Sequence, residues 1–334
     1  MSDFSSGHLA AADRELVAGV LAGKRRALAK AITLVESSRA DHRERAAAVL
    51  DALLPHTGKS LRIGLTGVPG VGKSTFVEVF GLHLIAHGLK VAVLAVDPSS
   101  SLSGGSILGD KTRMERLAQD TRAFVRPSPS AGALGGVAEK TREALLLCEA
   151  AGYDVVIVET VGVGQSETAV AGMTDVFVLL VLPNAGDDLQ AIKKGIMELA
   201  DVVIFNKADL DAVAAERAAQ QMRAALSLLH PASPYWRPPV LATSALRGEG
   251  IDAVWQTLQD FRRTLTGSGE LAEKRRRQSL DWMWQLIDAG LRHRFREHPA
   301  VKATLPDVQA AVAGGGTTPT AAAQRLLNLM NRYF

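Results

Sequence analysis

Eight consecutive residues, Gly67-Val68-Pro69-Gly70-Val71-Gly72-Lys73-Ser74, spell G-x-x-x-x-G-K-S, a loop able to wrap a chain of phosphates. Glycines are needed there because backbone N–H groups must close on phosphate oxygens, where a Cβ or a forbidden φ would intrude. From Thr75 a helical pattern follows, and the dipole of a helix N-terminus favours the same negative charge. Lys73 can reach the β- and γ-phosphates, and the Ser74 hydroxyl can hold Mg²⁺. A second segment, Asn206-Lys207-Ala208-Asp209, selects the base. The Asp209 carboxylate can accept from both N1–H and the 2-amino group of guanine. Adenine offers neither donor, and leaving such a group unpaired can cost roughly 10⁴-fold in affinity. Asn206 would brace neighbouring loops, and the Lys207 stem would cover the face of the base. Further on, Thr243-Ser244-Ala245 could offer a backbone amide to guanine O6.

Acidic groups stand where catalysis would need them. Asp97 ends one apolar run and Glu159 another, at strand ends where open α/β sheets place their ligands. Glu159-Thr160-Val161-Gly162 fills the place of a D-x-x-G element, with Glu for Asp. Gly162 could offer its N–H to the γ-phosphate, and Glu159 could orient a metal-bound or attacking water. The 97–110 loop, with Gly104, Gly105 and five serines, reads as a nucleotide-sensing switch. Asp110, beside Lys111-Thr112-Arg113, is a second Mg²⁺ or water-positioning candidate. Helix capping is the plainer role for Asp97 and Asp110.

These residues need a scaffold that brings strand ends together. Apolar, β-branched runs at 61–66, 90–96, 154–159, 175–182, 201–205 and 240–243 alternate with helical patterns. They lack polar alternation, as strands buried on both faces do. The expectation is an α/β fold with a mostly parallel sheet covered by helices. Residues 9–56 read as two or three helices. Beyond 267 the chain is helical again, at 270–296 and 319–333, with Gly314-Gly315-Gly316 between. The expected division is a helical extension at 1–58, a nucleotide domain at 59–266 and a helical arm at 267–334.

Composition narrows the class. In 334 residues, 47% hydrophobic and 22% charged, the chain has enough apolar mass for a large core and is neither disordered nor fibrous. Its net charge of +3, from 38 basic and 35 acidic residues, is too balanced to argue for nucleic acid. The lone Cys148 excludes an intrachain disulfide framework and a cysteine-cluster zinc site. The longest apolar run, 176–182, falls well short of the roughly 20 residues a bilayer span needs. With a polar N-terminus lacking a basic-then-apolar pattern, the expectation is a cytoplasmic protein with no membrane partner.

Other features have plainer readings. His83 and His87 stand at i, i+4 on the phosphate-loop helix and read as solvent-facing residues, with a metal pair the alternative. Lys274-Arg275-Arg276-Arg277 reads as a solvated helix face, with a contact for acidic partners or nucleic acid the alternative. Leu280, Met283, Ile287 and Leu291 form an apolar stripe for packing on the same chain or on a second subunit. Trp282 and Trp284 read as packing or interface residues. Residues 184–194, which mix both signs of charge after a strand end, are either a loop entering a helix or a third switch.

Together these residues resemble the MeaB/ArgK-type GTPases. The shared stretches are GVPGVGKSTF (67–76), AVDPSS (95–100), GGSILGDKTRM (104–114), RPSPS (126–130), ETVGVGQSE (159–167), DDLQAIKKG (187–195) and NKAD (206–209). The resemblance covers roughly residues 20–300. It implies a P-loop GTPase of the signal-recognition/MinD/BioD (SIMIBI) class with helical extensions, and a homodimer held partly through the C-terminal arm. It places base contacts at Asn206, Lys207, Asp209, Ser244, Ala245 and Leu246. Metal or switch roles fall to Asp97, Asp110 and Glu159, beside Ser74. It also implies GTP and GDP with Mg²⁺, and an adenosylcobalamin-dependent acyl-CoA mutase partner whose cofactor loading the GTPase gates. Direct cobalamin binding by this chain is not expected. Other readings are an ATP-driven kinase of amino-acid transport, opposed by the NKAD segment, and a nickel metallochaperone, for which Cys148 supplies no metal element. A non-hydrolysing adapter is less economical with Lys73 and Glu159 intact.

Overall fold

In the computed structural model, residues 9–37, 39–96, 114–126, 134–160, 166–183, 194–229 and 232–330 are described. The chain divides into two compact units, Met1–Arg275 and Arg276–Phe334. The first is built on a seven-stranded sheet of order β3-β2-β4-β1-β5-β6-β7. Its strands are β1 (Leu61–Gly67), β2 (Val91–Val96), β3 (Ala123–Arg126), β4 (Val155–Thr160), β5 (Val176–Val181), β6 (Val202–Phe205) and β7 (Val240–Ala242). Every pairing is parallel. Six strands match the apolar runs expected from the sequence. The seventh, β3, was not expected: its four residues are too few to show a pattern, and pairing with β2 alone makes it an edge.

Three N-terminal helices, α1 (Ala11–Leu21), α2 (Arg25–Glu36) and α3 (Ala40–Leu53), belong to the same unit. The remaining α-helices of this unit among the described residues are α4 (Lys73–Ala86), α5 (Glu115–Gln119), α6 (Leu134–Ala150), α7 (Ser166–Ala171), α8 (Lys194–Leu199), α9 (Ala212–Ser227) and α10 (Ile251–Gly267). Alternate strand residues feed two cores, as the period of a doubly covered sheet requires. Leu94, Val158, Leu179 and Phe205 pack with Leu28, Ile32 and Val49 of the N-terminal helices and Leu145 of α6. Ile63, Val93, Ile157 and Ile204 pack with Phe80 of α4 and Phe261 of α10 on the other face.

Close approach to β1 depends on glycine. A Cβ on Gly64 would stand 2.7 Å from Thr174 Oγ1, 2.8 Å from Phe177 Cδ2 and 2.9 Å from Val170 Cγ1. The missing side chain is what lets α7 and the start of β5 sit against the central strand.

At the strands' amino ends, buried charges are matched. Helix α11 (Glu270–Glu297) begins in the first unit and sends Arg275 into the sheet edge. Its guanidinium donates to Asp175 Oδ1 at 2.7 Å and Oδ2 at 2.6 Å, and to Ser60 O at 2.7 Å. The Lys274 ammonium donates to Asp175 O at 2.6 Å and lies 3.4 Å from Asp201 Oδ2. Arg62 holds the fully buried Glu149 carboxylate at 2.7 and 2.9 Å. The run 274–277 is therefore not wholly a solvated helix face; its first two members are structural pins.

The second unit contains the rest of α11, with α12 (Pro299–Ala313) and α13 (Pro319–Met330). Helix α12 was not expected, and it contains two prolines, a residue type that disfavours helix interiors. Pro299 in fact occupies the first turn, where no N–H is required, and Pro306 is carried inside. Val301, Val308, Ala322 and Leu326 form a small core of its own. Along α11, Leu280, Met283, Ile287 and Leu291 stay exposed, as does Trp284. Among the described residues no helix is long and apolar enough to cross a membrane.

Candidate functional site

The register of the parallel strands brings their carboxyl ends to one edge. Leu65 lies beside Glu159, Glu159 beside Ala95, Gly67 beside Leu180, and Val181 beside Phe205. The phosphate loop leaves β1 at this edge. Gly67 has no room for a side chain, since a Cβ would meet Leu180 O at 2.5 Å. Val68, Pro69 and Gly70 follow. Val71 turns inward, fully buried, and its N–H donates to Val68 O at 3.3 Å. Gly72 adopts φ 89°, ψ 32° as the N-cap of α4, a left-handed conformation that glycine alone takes at little cost. This cap starts the helix at Lys73, two residues earlier than the sequence pattern suggested, and places Ser74 and Thr75 in its first turn.

Lys73 Nζ donates to Gly67 O at 2.6 Å and Val68 O at 3.3 Å, so its ammonium sits inside the loop's mouth. Burial pushes its pKa down from the ordinary lysine value, while the negative charges of Glu159 and Glu167 act the other way. Glu159 is buried at the end of β4, and Glu167 is buried on the first turns of α7. Glu167 was not singled out from sequence, although it closes the ETVGVGQSE stretch; nothing local indicates that its carboxylate acts on Lys73. Next to Glu159, Thr160 Oγ1 bonds Thr66 Oγ1 at 2.8 Å, fastening β4 to β1 just below the loop.

The base-reading segment joins this loop through Asn206. Its Nδ2 donates to Val71 O at 2.8 Å, while its Oδ1 accepts from Ala245 N at 3.1 Å and Thr243 Oγ1 at 3.2 Å. One buried side chain thus ties the phosphate loop to the segment after β7. Lys207, with φ 61°, is the one non-glycine residue at positive φ among the described residues. Its stem runs beside Gly72, where a Cβ would lie 3.6 Å from Lys207 Cε. A hydrogen bond from Ser244 and the charge of Arg247, whose Nε is 3.6 Å from Oδ2, hold Asp209 below the usual carboxylate range. Ser244 and Ala245 are buried, whereas Leu246 is 83% exposed. Gly162, Asp97, Asp110 and the 184–193 stretch lie outside the described residues.

The Ser74 hydroxyl and the Glu159 carboxylate both offer oxygen donors, the chemistry that suits Mg²⁺ beside substrate phosphates. Of the two histidines expected to face solvent on this helix, His87 does so and His83 only in part. Their rings are 4.4 Å apart, and His83, half-buried, lies 3.5 Å from Asp252 of α10. Burial lowers its pKa. Among the described residues there is no group of three or more His, Cys, Asp or Glu placed to hold a metal.

Comparison with known proteins gives this arrangement its relatives. The family described as methylmalonyl-CoA mutase-associated GTPase MeaB matches residues 28–300. A putative GTPase of Caulobacter vibrioides is 57% identical over 308 residues, covering 92% of this chain and 94% of the relative. A mouse protein, the mitochondrial methylmalonic aciduria type A homolog, is 48% identical over 323 residues, covering 93% and 78%. The crystal structure of a LAO/AO transport system kinase superposes with a TM-score of 0.76 at 39% identity, covering 98% of this chain and all of that one. The chain belongs to the MeaB family of methylmalonyl-CoA mutase-associated GTPases.

Proposed function

We propose that this GTPase is a chaperone for an adenosylcobalamin-dependent acyl-CoA mutase, with methylmalonyl-CoA mutase the first candidate. It would use GTP binding and hydrolysis to gate the mutase's cofactor loading and to protect or reactivate the enzyme. The observation that carries the nucleotide half is the Asn206 bridge, which makes the phosphate loop and the base-reading corner one unit. The mutase half is supported by the family description.

In hydrolysis, water attacks the γ-phosphorus in line, and charge grows on the phosphate oxygens. Lys73, already at the loop's mouth, neutralises part of that charge. Loop N–H groups orient the phosphates, and the buried Glu159 carboxylate orients the attacking water. Mg²⁺, held by Ser74 with Glu159, Asp97 and Asp110 as further candidate ligands, would supply Lewis acidity at the β- and γ-oxygens. Gly162 is the proposed amide donor to the γ-phosphate. Asp209, Lys207 and the Ser244-Ala245-Leu246 backbone fix guanine, which favours GTP over the ATP use implied by the structural relative's name.

The proposed working form is a cytoplasmic homodimer joined through the exposed α11 stripe. Slow intrinsic turnover is part of the proposal, with mutase docking accelerating the hydrolytic step. The test is phosphate release from GTP, with an ATP control, with and without the purified B12-dependent mutase. Acceleration of GTP turnover alone is expected. No mutase effect would sink the partner, and faster ATP turnover would sink the assigned base.

A further inference from the structure

A groove of about 510 Å³ opens between α1, α2 and α3. Leu16 of α1 with Ala27 and Leu34 of α2 contribute apolar lining. Gly19 allows the two helices to touch: a Cβ there would stand 2.7 Å from Ala27 Cβ. The lining residues of α2 recur at 26/27, 30 and 33/34, one helical face, so the groove follows from the sequence's own periodicity.

The groove is also cationic. Arg45 of α3 is already neutralised, with Nη2 2.7 Å from the buried Asp13 carboxylate. His42 Nδ1 is 2.8 Å from Ser37 Oγ. Lys24, Arg26 and Lys30 are different: among the described residues none has an ion-pair or side-chain hydrogen-bond partner. Among the described residues Glu15 is the one acid in the lining. Three uncompensated cations against one carboxylate, around apolar side chains, complement a helix whose apolar face is flanked by acids. A bare phosphate or a nucleic-acid backbone would leave the apolar lining unused.

Helix α2 also reaches the nucleotide edge. Arg25 donates to Asp120 O at 3.2 Å at one end, and Glu36 pairs with Arg126, the last residue of β3, at the other. A partner seated in the groove would therefore press on a helix anchored to the carboxyl end of the sheet.

From this geometry we propose that the α1–α3 groove receives an acidic amphipathic helix of the mutase, an assignment that rests on the mutase reading above. The test uses the full chain and the purified B12-dependent mutase as the probe. K24E/K30E reverses two groove charges, and K90E/R217E makes the same change at exposed positions elsewhere. Each variant's GTP turnover without mutase should equal that of the unmodified chain. Binding of the mutase, measured by calorimetry, should weaken at least about tenfold for K24E/K30E and less than about twofold for K90E/R217E. Equal weakening by both pairs, or none by the groove pair, overturns the groove assignment and leaves the mutase reading intact. No complex with the unmodified chain overturns the mutase reading, and the groove's stated occupant with it.

Discussion

At the amino ends of the strands, Asp175, Asp201 and Glu149 each meet a cation from Arg275, Lys274 or Arg62. At the carboxyl ends of the same strands, the Lys73 ammonium rests on two carbonyls, and the Glu159 and Glu167 carboxylates are close enough to act on it. One sheet therefore has a closed edge and a working edge. In a buried ion pair the attraction offsets the cost of desolvation, and removing one partner is costly because the other charge is left uncompensated. Buried charge offered to a ligand gives up stability in exchange for electrostatic work on a substrate. The difference teaches that burial alone does not mark a functional charge; what matters is whether the fold already supplies its partner.

The largest effect is expected at the working edge. Lys73→Ala should lower GTP turnover by at least about 10³-fold while leaving the urea midpoint nearly unchanged, because its present bonds are to loop carbonyls. A large loss of stability would break the comparison. At the closed edge, Arg275→Met should cost about 3–5 kcal/mol in urea unfolding, with turnover per folded molecule unchanged, since Asp175 is left charged and buried. Adding Asp175→Asn should restore part of the loss, and a double variant no better than the single would refute that account.

Asn206→Ala should cost about 2 kcal/mol and weaken GDP binding together, because it leaves Val71 O and Ala245 N unpaired. Separating the two effects would show that the brace is not shared between stability and binding.

A pH-dependent effect separates two acids on α6. Glu149 has Arg62, whereas Glu143 has, among the described residues, only Lys140 at 3.4 Å, and burial pushes Glu143 up from 4.5 to about 7. Its protonated form is favoured in the folded state, so that stability is full below pH 4.5 and is lost as pH rises through 7. Glu143→Gln should flatten this slope and raise stability at pH 8 by about 1–3 kcal/mol, read as the difference in unfolding free energy between pH 5 and pH 8. An unchanged slope would assign the pH dependence to another group.

What could be read without coordinates follows a physical rule. The phosphate loop and the Asn206–Asp209 segment are each set by a few adjacent residues, so their chemistry is legible in order. Six strands announced themselves through uninterrupted burial. The pairing of Arg275 with Asp175 spans 100 residues, and sequence shows only a basic run on a helix. Strand β3 depends on its partner β2, and α12 on packing that outweighs its prolines. The effect of Glu167 on Lys73 depends on how closely α7 approaches β1, which is a tertiary distance.

Gly64 sets that distance. Alanine there would collide with Thr174, Phe177 and Val170 at once, and the helix bearing Val170 also bears Glu167. A survey of inherited variants would score the change as among the mildest possible, three residues outside any recognised motif. In this chain one added methyl would shift an acid that acts on the phosphate-binding lysine, so position 64 should tolerate almost no variation.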